Sequence, residues 1–229
     1  AAGLVHAKIL TGVEHAAIER GLTALLEAHR RGEWTVDPSD EDVHSAVERR
    51  LIALVGEAGK RLHTGRSRNE QVALDVRLWL REAAGTVDGL VAKLVQACET
   101  FGGAHGTLAL PGYTHLRRAM PSWLGDWIGA HAAAFAEDRS ELAHALARAR
   151  RCPLGSGAGY GVPLALERAF TARELGFDAP EEPVTLVQHS RGRAELAYLT
   201  ALESLALDLA KLAADVWLYS SEEFGYLRL

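Results

Sequence analysis

The chain has 229 residues, of which 48% are hydrophobic and 24% are charged, so it can bury a substantial core and lacks the composition of a disordered protein. Its 25 basic and 30 acidic residues give a formal net charge of −5, which excludes the basic surface typical of a protein that wraps nucleic acid. Alanine and leucine are abundant and aromatic residues make up only 7%, a composition that favours helices over strands.

Cysteine content and hydropathy indicate a reducing compartment and no membrane segment. Cys98 and Cys152 are too few for a disulfide framework. The first ten residues lack the basic start and long apolar run of a signal peptide. The most apolar stretch, residues 196–219, is interrupted by charged side chains, which are costly in a bilayer. The sequence therefore predicts a soluble cytosolic protein that binds neither membranes nor nucleic acid.

The first part of the chain reads as helices joined by polar segments. Apolar residues at helical spacing predict a helix over residues 5–30, which ends before Gly32. Turn-forming residues predict a loop over 33–40. A second helix is predicted over 42–55, and a polar connector rich in glycine and basic residues over 56–69.

The longest apolar stripes follow this connector. Ser67 and Glu70 predict a capping box at the start of a long helix that ends near Gly102. A loop is predicted over 108–118. A third long helix is predicted over 121–151, with its proline in the first turn.

The last third of the chain contains one short and one long helix. Residues 152–163 form a glycine-rich irregular segment, and a short helix is predicted over 164–175. The final helix, over 190–222, is apolar on several faces, which predicts burial by several partners at once. No segment alternates with a period of two. The fold class predicted is all-α, a long-helix bundle completed by other subunits.

The sequence offers little support for a nucleotide loop or a metal centre. The run of glycines over 155–161 does not match GxGxxG in any register and lacks a preceding strand. HExxH, CxxC and EF-hand patterns do not occur. We therefore predict neither a metal site nor a nucleotide cofactor.

Polar and reactive residues concentrate at three helix junctions. These junctions are residues 41–44, 63–71 and 111–121. Backbone amides at a helix start, beside Arg68 and the Ser67 hydroxyl, suit a carboxylate ligand. Each residue also has a purely structural interpretation: Ser67 as an N-cap, Arg68 as solvated loop charge and His115 as a structural loop histidine.

Five ordered segments distinguish between these interpretations, because together they resemble the motifs of one enzyme family. They are residues 41–51, 60–71 (similar to GGKLHTARSRNDQ), 112–121 (GYTHLQRAQP), 152–158 (PLGSGA) and 220–225 (SSQEFG). The pattern resembles the aspartase/fumarase superfamily and, within it, the argininosuccinate lyase family, to which delta-crystallin is related. The match spans nearly the whole chain.

The resemblance implies a fold, an assembly and an activity. It implies an aspartase/fumarase-type bundle, with a small helical N-terminal domain over 1–64, a central long-helix domain over 65–229 and a C-terminal domain outside this chain. It implies a homotetramer with composite active sites. The implied reaction is reversible β-elimination of argininosuccinate to arginine and fumarate, without a metal or organic cofactor.

The resemblance also assigns site residues. The resemblance implies that His115 transfers a catalytic proton, at the leaving-group end of the substrate. Ser67, Arg68, Asn69 and Thr114 are implied to bind substrate carboxylates, with His44 nearby. The physics of the reaction fits these residue types, because an elimination of this kind needs donors for a developing dianion and an acid for the leaving nitrogen.

Departures from the family pattern leave alternatives open. The family's GSSxMPxKxN loop, which supplies the serine base, does not occur here, so we expect a fragment that is inactive alone. Gly3 and Met120 replace a serine and a glutamine, and Gly192 replaces an arginine for which Arg191 or Arg193 could substitute. Another superfamily lyase, such as adenylosuccinate lyase, and a crystallin-like scaffold without activity remain the alternatives.

Overall fold

The computed structural model describes residues 1–229 and is mostly helical, with 63% of residues in helices and 7% in strands. Its nine α-helices are α1 (Ala2–His6), α2 (Gly12–Arg30), α3 (Val43–Val55), α4 (Glu57–Arg61), α5 (Arg68–His105), α6 (Leu124–Leu146), α7 (Arg168–Glu174), α8 (Leu186–His189) and α9 (Arg193–Tyr219). The strands are β1 (Ala109–Thr114), β2 (Arg117–Trp123), β3 (Arg151–Cys152) and β4 (Ala179–Pro180). The predicted all-α class is confirmed, and no helix is long and apolar enough to cross a membrane.

Two compact units make up the chain. The first contains residues 1–75 and 150–191, and the second contains residues 76–149 and 192–229, so the boundary falls within α5. The predicted domain division between residues 64 and 65 groups the chain differently, because residues 150–191 join the N-terminal segment in the first unit.

The first unit has one apolar core, built around α2 and α3. Its most buried members are Ile18 and Leu51, and Leu4 and Leu10 pack with them. The single helix predicted over 5–30 is wrong, because Lys8 has a positive φ of 58° and Thr11 starts a new helix. The Thr11 hydroxyl accepts a hydrogen bond from the Glu14 amide, and the Glu14 carboxylate accepts one from the Thr11 amide.

The second unit is a bundle of the long helices, and its core lies where α6 packs against α9. Phe135 and Leu142 of α6 are fully buried, as are Leu80 and Ala84 of α5. The helix predicted over 121–151 begins later, at Leu124, and ends in a 3-10 turn, Ala147–Arg150.

An antiparallel hairpin, β1–β2, occupies the segment predicted as a loop. That prediction is wrong, and so is the placement of Pro121 in a helical first turn, since Pro121 pairs with Pro111 across the two strands. The strands are irregular at Gly112, where a Cβ atom would lie 2.8 Å from the Met120 carbonyl oxygen. This close approach requires a glycine.

The remaining helix boundaries in the structure differ from the predicted ones by a few residues. The connector over 56–69 contains the short helix α4, and the helix predicted from 164 starts at Arg168. The last helix runs over Arg193–Tyr219 rather than 190–222. Gly192 precedes it with a φ of 81°, a left-handed conformation that suits glycine.

Candidate functional site

The start of α5 brings Ser67, Arg68 and Asn69 into one turn. The Ser67 hydroxyl oxygen accepts a hydrogen bond from the Asn69 amide at 3.3 Å. The Glu70 carboxylate accepts one from the Ser67 amide, also at 3.3 Å. The helix therefore starts where the sequence predicts, although the serine bonds the amide of Asn69 rather than that of Glu70.

The guanidinium of Arg68 is held by groups of its own unit. It donates to the Gln71 side-chain oxygen at 2.8 Å and to the Ser45 hydroxyl at 3.3 Å. Its Nε lies 3.1 Å from Asp42 Oδ2, and a second nitrogen lies 3.6 Å from Glu48 Oε2. The side chain is therefore fixed before any ligand arrives, which limits the entropy lost on binding.

Asp42 links this network to α3. Its Oδ1 accepts a hydrogen bond from the Ser45 amide at 2.7 Å and so caps the helix. The Ser45 amide and, more weakly, the positive charge of Arg68 hold the pKa of the Asp42 carboxyl below its usual range. Asp42 is thus an ionised partner for Arg68 at neutral pH.

His44 and Arg68 line the same cavity, which has a volume of about 240 Å³. Its Nε2 is 3.2 Å from Asp75 Oδ2. Burial raises the pKa of the Asp75 carboxyl, and the charge of His44 opposes this shift. The cavity is lined by Val43, His44, Val47, Glu48, Leu62, His63, Arg68, Gln71 and Asp75.

Sequence reasoning missed four polar members of this cavity, which are Glu48, His63, Gln71 and Asp75. His63 Nδ1 is 3.2 Å from Glu48 Oε2, and Asp75 faces His44. A signal existed for Asp75, because residues 68, 71 and 75 share one face of a helix. His63 belongs to the same junction as Ser67, but its spacing alone did not single it out.

Arg191 also reaches the start of α5. Its guanidinium donates to the Asn69 carbonyl oxygen at 3.2 Å. Of the two arginines that could substitute for the residue replaced by Gly192, Arg191 is therefore the one with a contact to a predicted site residue.

Thr114 and His115 belong to the second unit, at the end of the β1–β2 hairpin. Thr114 pairs with Arg117, so the turn contains only His115 and Leu116. Both turn residues have positive φ, 52° and 61°, and both are exposed. A two-residue hairpin turn normally uses Asn and Gly at such positions, so this turn stores backbone strain.

The hairpin is anchored by aromatic residues of the chain's last segment. The phenol oxygens of Tyr113 and Tyr226 are 2.7 Å apart, and the Tyr113 ring meets Phe224 edge-on at 5.3 Å. The Tyr226 hydroxyl and then Arg118 lower the pKa of the Tyr113 phenol. These contacts fix Tyr113, in the strand that leads into the strained turn.

The six predicted site residues therefore fall into two groups. Ser67, Arg68, Asn69 and His44 are brought together in the first unit, and Thr114 and His115 are brought together in the second. The catalytic and binding roles assigned to them stay predictions.

A family model described as lyase matches residues 1–229. The chain is 42% identical over 231 residues to an argininosuccinate lyase of Stenotrophomonas maltophilia and 41% identical over 229 residues to one of Xanthomonas oryzae. It is 37% identical to an argininosuccinate lyase of Thermotoga neapolitana. These matches cover 100% of the chain but 53%, 53% and 59% of the relatives, so the chain spans about half the length of the curated relatives it matches.

Solved structures share the fold. An EDDS lyase variant with bound fumarate superposes with a TM-score of 0.85 at 25% identity, covering 96% of this chain and 43% of that one. A fumarate lyase:delta crystallin from Brucella melitensis gives a TM-score of 0.82 at 22% identity, covering 97% and 53% of the two chains.

Proposed function

Because the chain belongs to the lyase family, whose model matches its whole length, we propose that the complete protein is an argininosuccinate lyase. It splits argininosuccinate reversibly into arginine and fumarate, the last step of arginine biosynthesis, in the cytoplasm. The observation that carries the proposal is 37–42% identity along the entire chain to relatives that bear this name. The fumarate bound by the EDDS lyase variant agrees with the same product class.

The reaction defines what the site must supply. A base removes a weakly acidic proton from the carbon next to a carboxylate, which places a second negative charge on that group. The carbon–nitrogen bond then breaks, a carbon–carbon double bond forms, and an acid protonates the departing guanidinium nitrogen. Fixed donors around the doubly charged carboxylate are the main means of lowering this barrier.

We assign the donors to the start of α5. Ser67 and Asn69 offer a hydroxyl and an amide, Arg68 offers a guanidinium, and the amides at a helix N-terminus attract anions. His44 lines the same cavity as Arg68. In this proposal Thr114 adds a hydroxyl from the hairpin. Several neutral and charged donors suit a substrate with more than one carboxylate.

His115 is assigned the proton transfer at the leaving group. Its imidazole is exposed at a hairpin turn, and its positive φ is the kind of backbone strain that clusters at functional sites. An imidazole can both donate and accept a proton, which suits an acid that must give and regain one. The elimination moves protons without net oxidation or reduction, so the proposal includes no metal and no organic cofactor.

The proposed assembly is a homotetramer with active sites shared between subunits. Its support is the apolar face of α9 that the single chain leaves uncovered: Trp217 is 77% exposed and Leu196 is 65% exposed, with Leu199 and Leu207 between them. Large exposed apolar side chains along one side of a helix indicate a protein interface. Light scattering on the complete protein should give four times the chain mass, and a monomeric mass would refute this part of the proposal.

A direct assay tests the activity. The complete protein is incubated with argininosuccinate, and fumarate is followed by its ultraviolet absorbance. Fumarate formation supports the proposal. Fumarate from adenylosuccinate instead would identify another superfamily lyase, and no fumarate from either substrate by the assembled protein would favour a scaffold without activity.

A further inference from the structure

Glu70 is the most deeply buried acidic side chain of the molecule. It lies in the first turn of α5 with 0% of its surface exposed. One carboxylate oxygen accepts the hydrogen bond from the Ser67 amide at 3.3 Å. The other oxygen accepts two bonds from a segment far along the chain, the Gly157 amide at 2.7 Å and the Ser156 hydroxyl at 3.1 Å.

The distant segment is the glycine loop, which we define as residues 155–161. Its shape depends on left-handed residues, since Gly157 and Gly161 have φ values of 56° and 84°. The Ser156 carbonyl closes the loop by accepting from the amides of Gly159 at 3.1 Å and Gly161 at 2.8 Å. Closure leaves the Gly157 amide free to donate to Glu70. The glycine loop therefore supports one carboxylate, which agrees with the absence of a nucleotide-loop motif in its sequence.

From this geometry we propose that Glu70 is a positioning residue, which couples the glycine loop to the turn that carries Ser67, Arg68 and Asn69. The inference rests on the proposed function, because it assumes that this turn binds the substrate carboxylates. In this role Glu70 acts through the turn, from a fully buried position, rather than by binding the substrate. It accepts the hydrogen bond of the Ser67 amide and so holds that amide in place. This fixes the positions of the serine hydroxyl and of the Arg68 backbone that follows it.

The two backbone partners, the Ser67 and Gly157 amides, can only donate, and they reach different oxygens of Glu70. Both oxygens must therefore accept, and an amide in the same place would turn its own N–H group towards one of these donors. Arg66 is the charged neighbour of Glu70. It lines a second cavity of about 240 Å³ together with Glu70, and burial lowers the pKa of its guanidinium while the charge of Glu70 opposes that shift.

The test compares four variants in the complete protein. Glu70→Gln removes the charge and one acceptor, and Glu70→Asp keeps the carboxylate that the family motif has at this position. Ser156→Ala removes one donor to Glu70, and it provides the test if Glu70→Gln does not fold. Glu57→Gln removes an exposed charge of the same unit as the matched control.

We expect Glu70→Gln to raise the KM for argininosuccinate about tenfold with a much smaller change in kcat, because ångström-scale displacement of binding groups weakens substrate binding. Ser156→Ala should raise KM about threefold, as the loss of one hydrogen bond would. Glu70→Asp should lie between wild type and Glu70→Gln, and Glu57→Gln should match wild type.

Stability controls separate positioning from simple weakening of the fold. Ile18→Val removes a small amount and Leu51→Ala a large amount of buried surface from the core of the same unit. The stability losses of these two variants should lie below and above that of Glu70→Gln. Neither should change KM. Hydrogen exchange provides a readout that does not need turnover: Glu70→Gln should speed exchange in residues 66–70 and 155–159 selectively, and Leu51→Ala should speed it across the unit.

The outcomes distinguish the two proposals. A wild-type protein without turnover refutes the proposed function, and selective exchange at both segments then still supports the coupling by Glu70. An unchanged KM and unchanged exchange at both segments in Glu70→Gln overturn the inference. A KM that rises equally in Leu51→Ala also overturns it, because the effect would then be one of stability.

Discussion

The start of α5 and the tip of the β1–β2 hairpin carry the two groups of predicted site residues, and they are built in opposite ways. Around Arg68, one guanidinium contacts four side chains of its own unit, and the helix is capped. Around His115, the backbone is strained at two successive residues and the side chains face solvent. The first region is fixed by its own contacts, whereas the second is fixed at the flanking Tyr113.

This difference suits two different tasks. Groups that bind a carboxylate gain from being held before the ligand arrives, because less entropy is lost on binding. A group that transfers a proton needs access to the reacting atom and an imidazole that can change its charge. The contrast predicts that substitutions at the hairpin tip mainly change turnover and substitutions at the start of α5 mainly change substrate binding.

The largest effect is expected at the hairpin tip. His115→Asn removes the imidazole but keeps a residue that tolerates positive φ. We expect kcat to fall by about 10²-fold or more, because general acid catalysis is lost. Steady-state fumarate production by the complete protein measures this.

The control for His115→Asn is His105→Asn, which alters an exposed histidine at the end of α5 in the same unit. Its kcat should stay within about twofold of wild type, because it lies outside the proposed site. Near-normal turnover of His115→Asn would mean that His115 is a structural turn residue. The assignment of proton transfer to the hairpin tip would then be wrong.

Arg68→Lys tests the other region. Lysine keeps the charge but cannot reproduce the planar fork that contacts Gln71, Asp42 and Glu48 together. We expect the KM for argininosuccinate to rise about tenfold and kcat to change less, the pattern of lost ground-state binding.

Arg49→Lys is the matched control for Arg68→Lys. Arg49 also lies in the first unit and forms a two-point contact with one carboxylate, Asp40, at 2.9 and 2.8 Å, but it is exposed and lines no cavity with His44. Its KM should equal that of wild type. If Arg68→Lys lowers kcat alone, the assignment of binding to the start of α5 is wrong.

The strain at the turn can be measured as stability. Leu116 is 75% exposed with a φ of 61°, so Leu116→Gly loses little buried surface and removes the Cβ contact that disfavours this conformation. We expect the free energy of unfolding to rise by about 1 kcal/mol or less, since glycine also gains freedom in the unfolded chain. Urea unfolding of the complete protein measures it.

The same substitution within a helix should change the free energy of unfolding in the opposite direction. Leu26 is half-exposed within α2, and Leu26→Gly should lower the free energy of unfolding by about 1 kcal/mol. A loss of stability in both variants would mean that the hairpin turn holds no strain that glycine can relieve.

Sequence patterns predicted the helices of the fold better than the break before α2 and the β1–β2 hairpin. The start of α5 at Ser67 was predictable because a capping box is a local signal. The break before α2 has the same signal in Thr11 and Glu14, but the apolar stripe continues across it and conceals it. The hairpin was missed because its turn, His115 and Leu116, lacks the Asn-Gly pair by which such turns are recognised.

The candidate site was predictable as residue types at helix junctions, and its contacts were not. Pairing of Glu70 with Ser156 and Gly157 joins segments separated by more than 80 positions, and no periodicity reports such a contact. The Arg68 network likewise depends on how α3 meets α5 in space. Spacing along the chain identifies neighbours within one helix, while contacts between elements follow from packing.

The smallest expected effect concerns Asp75, which faces His44 at 3.2 Å. Its side chain is 56% exposed, but partial burial still raises the pKa of this carboxyl in the folded protein, so the folded state binds its proton more tightly than the unfolded chain does. Its contribution to stability is therefore present below the unfolded pKa and is lost as pH rises through the folded pKa. Asp75→Asn should match wild type in Tm at acid pH and exceed it slightly at neutral pH, as thermal unfolding across a pH series would show. A lower Tm than wild type at neutral pH would mean that the contact with His44 stabilises the protein by more than the burial of Asp75 costs. The ion pair between Asp75 and His44 would then be a further contact that holds the start of α5 in place.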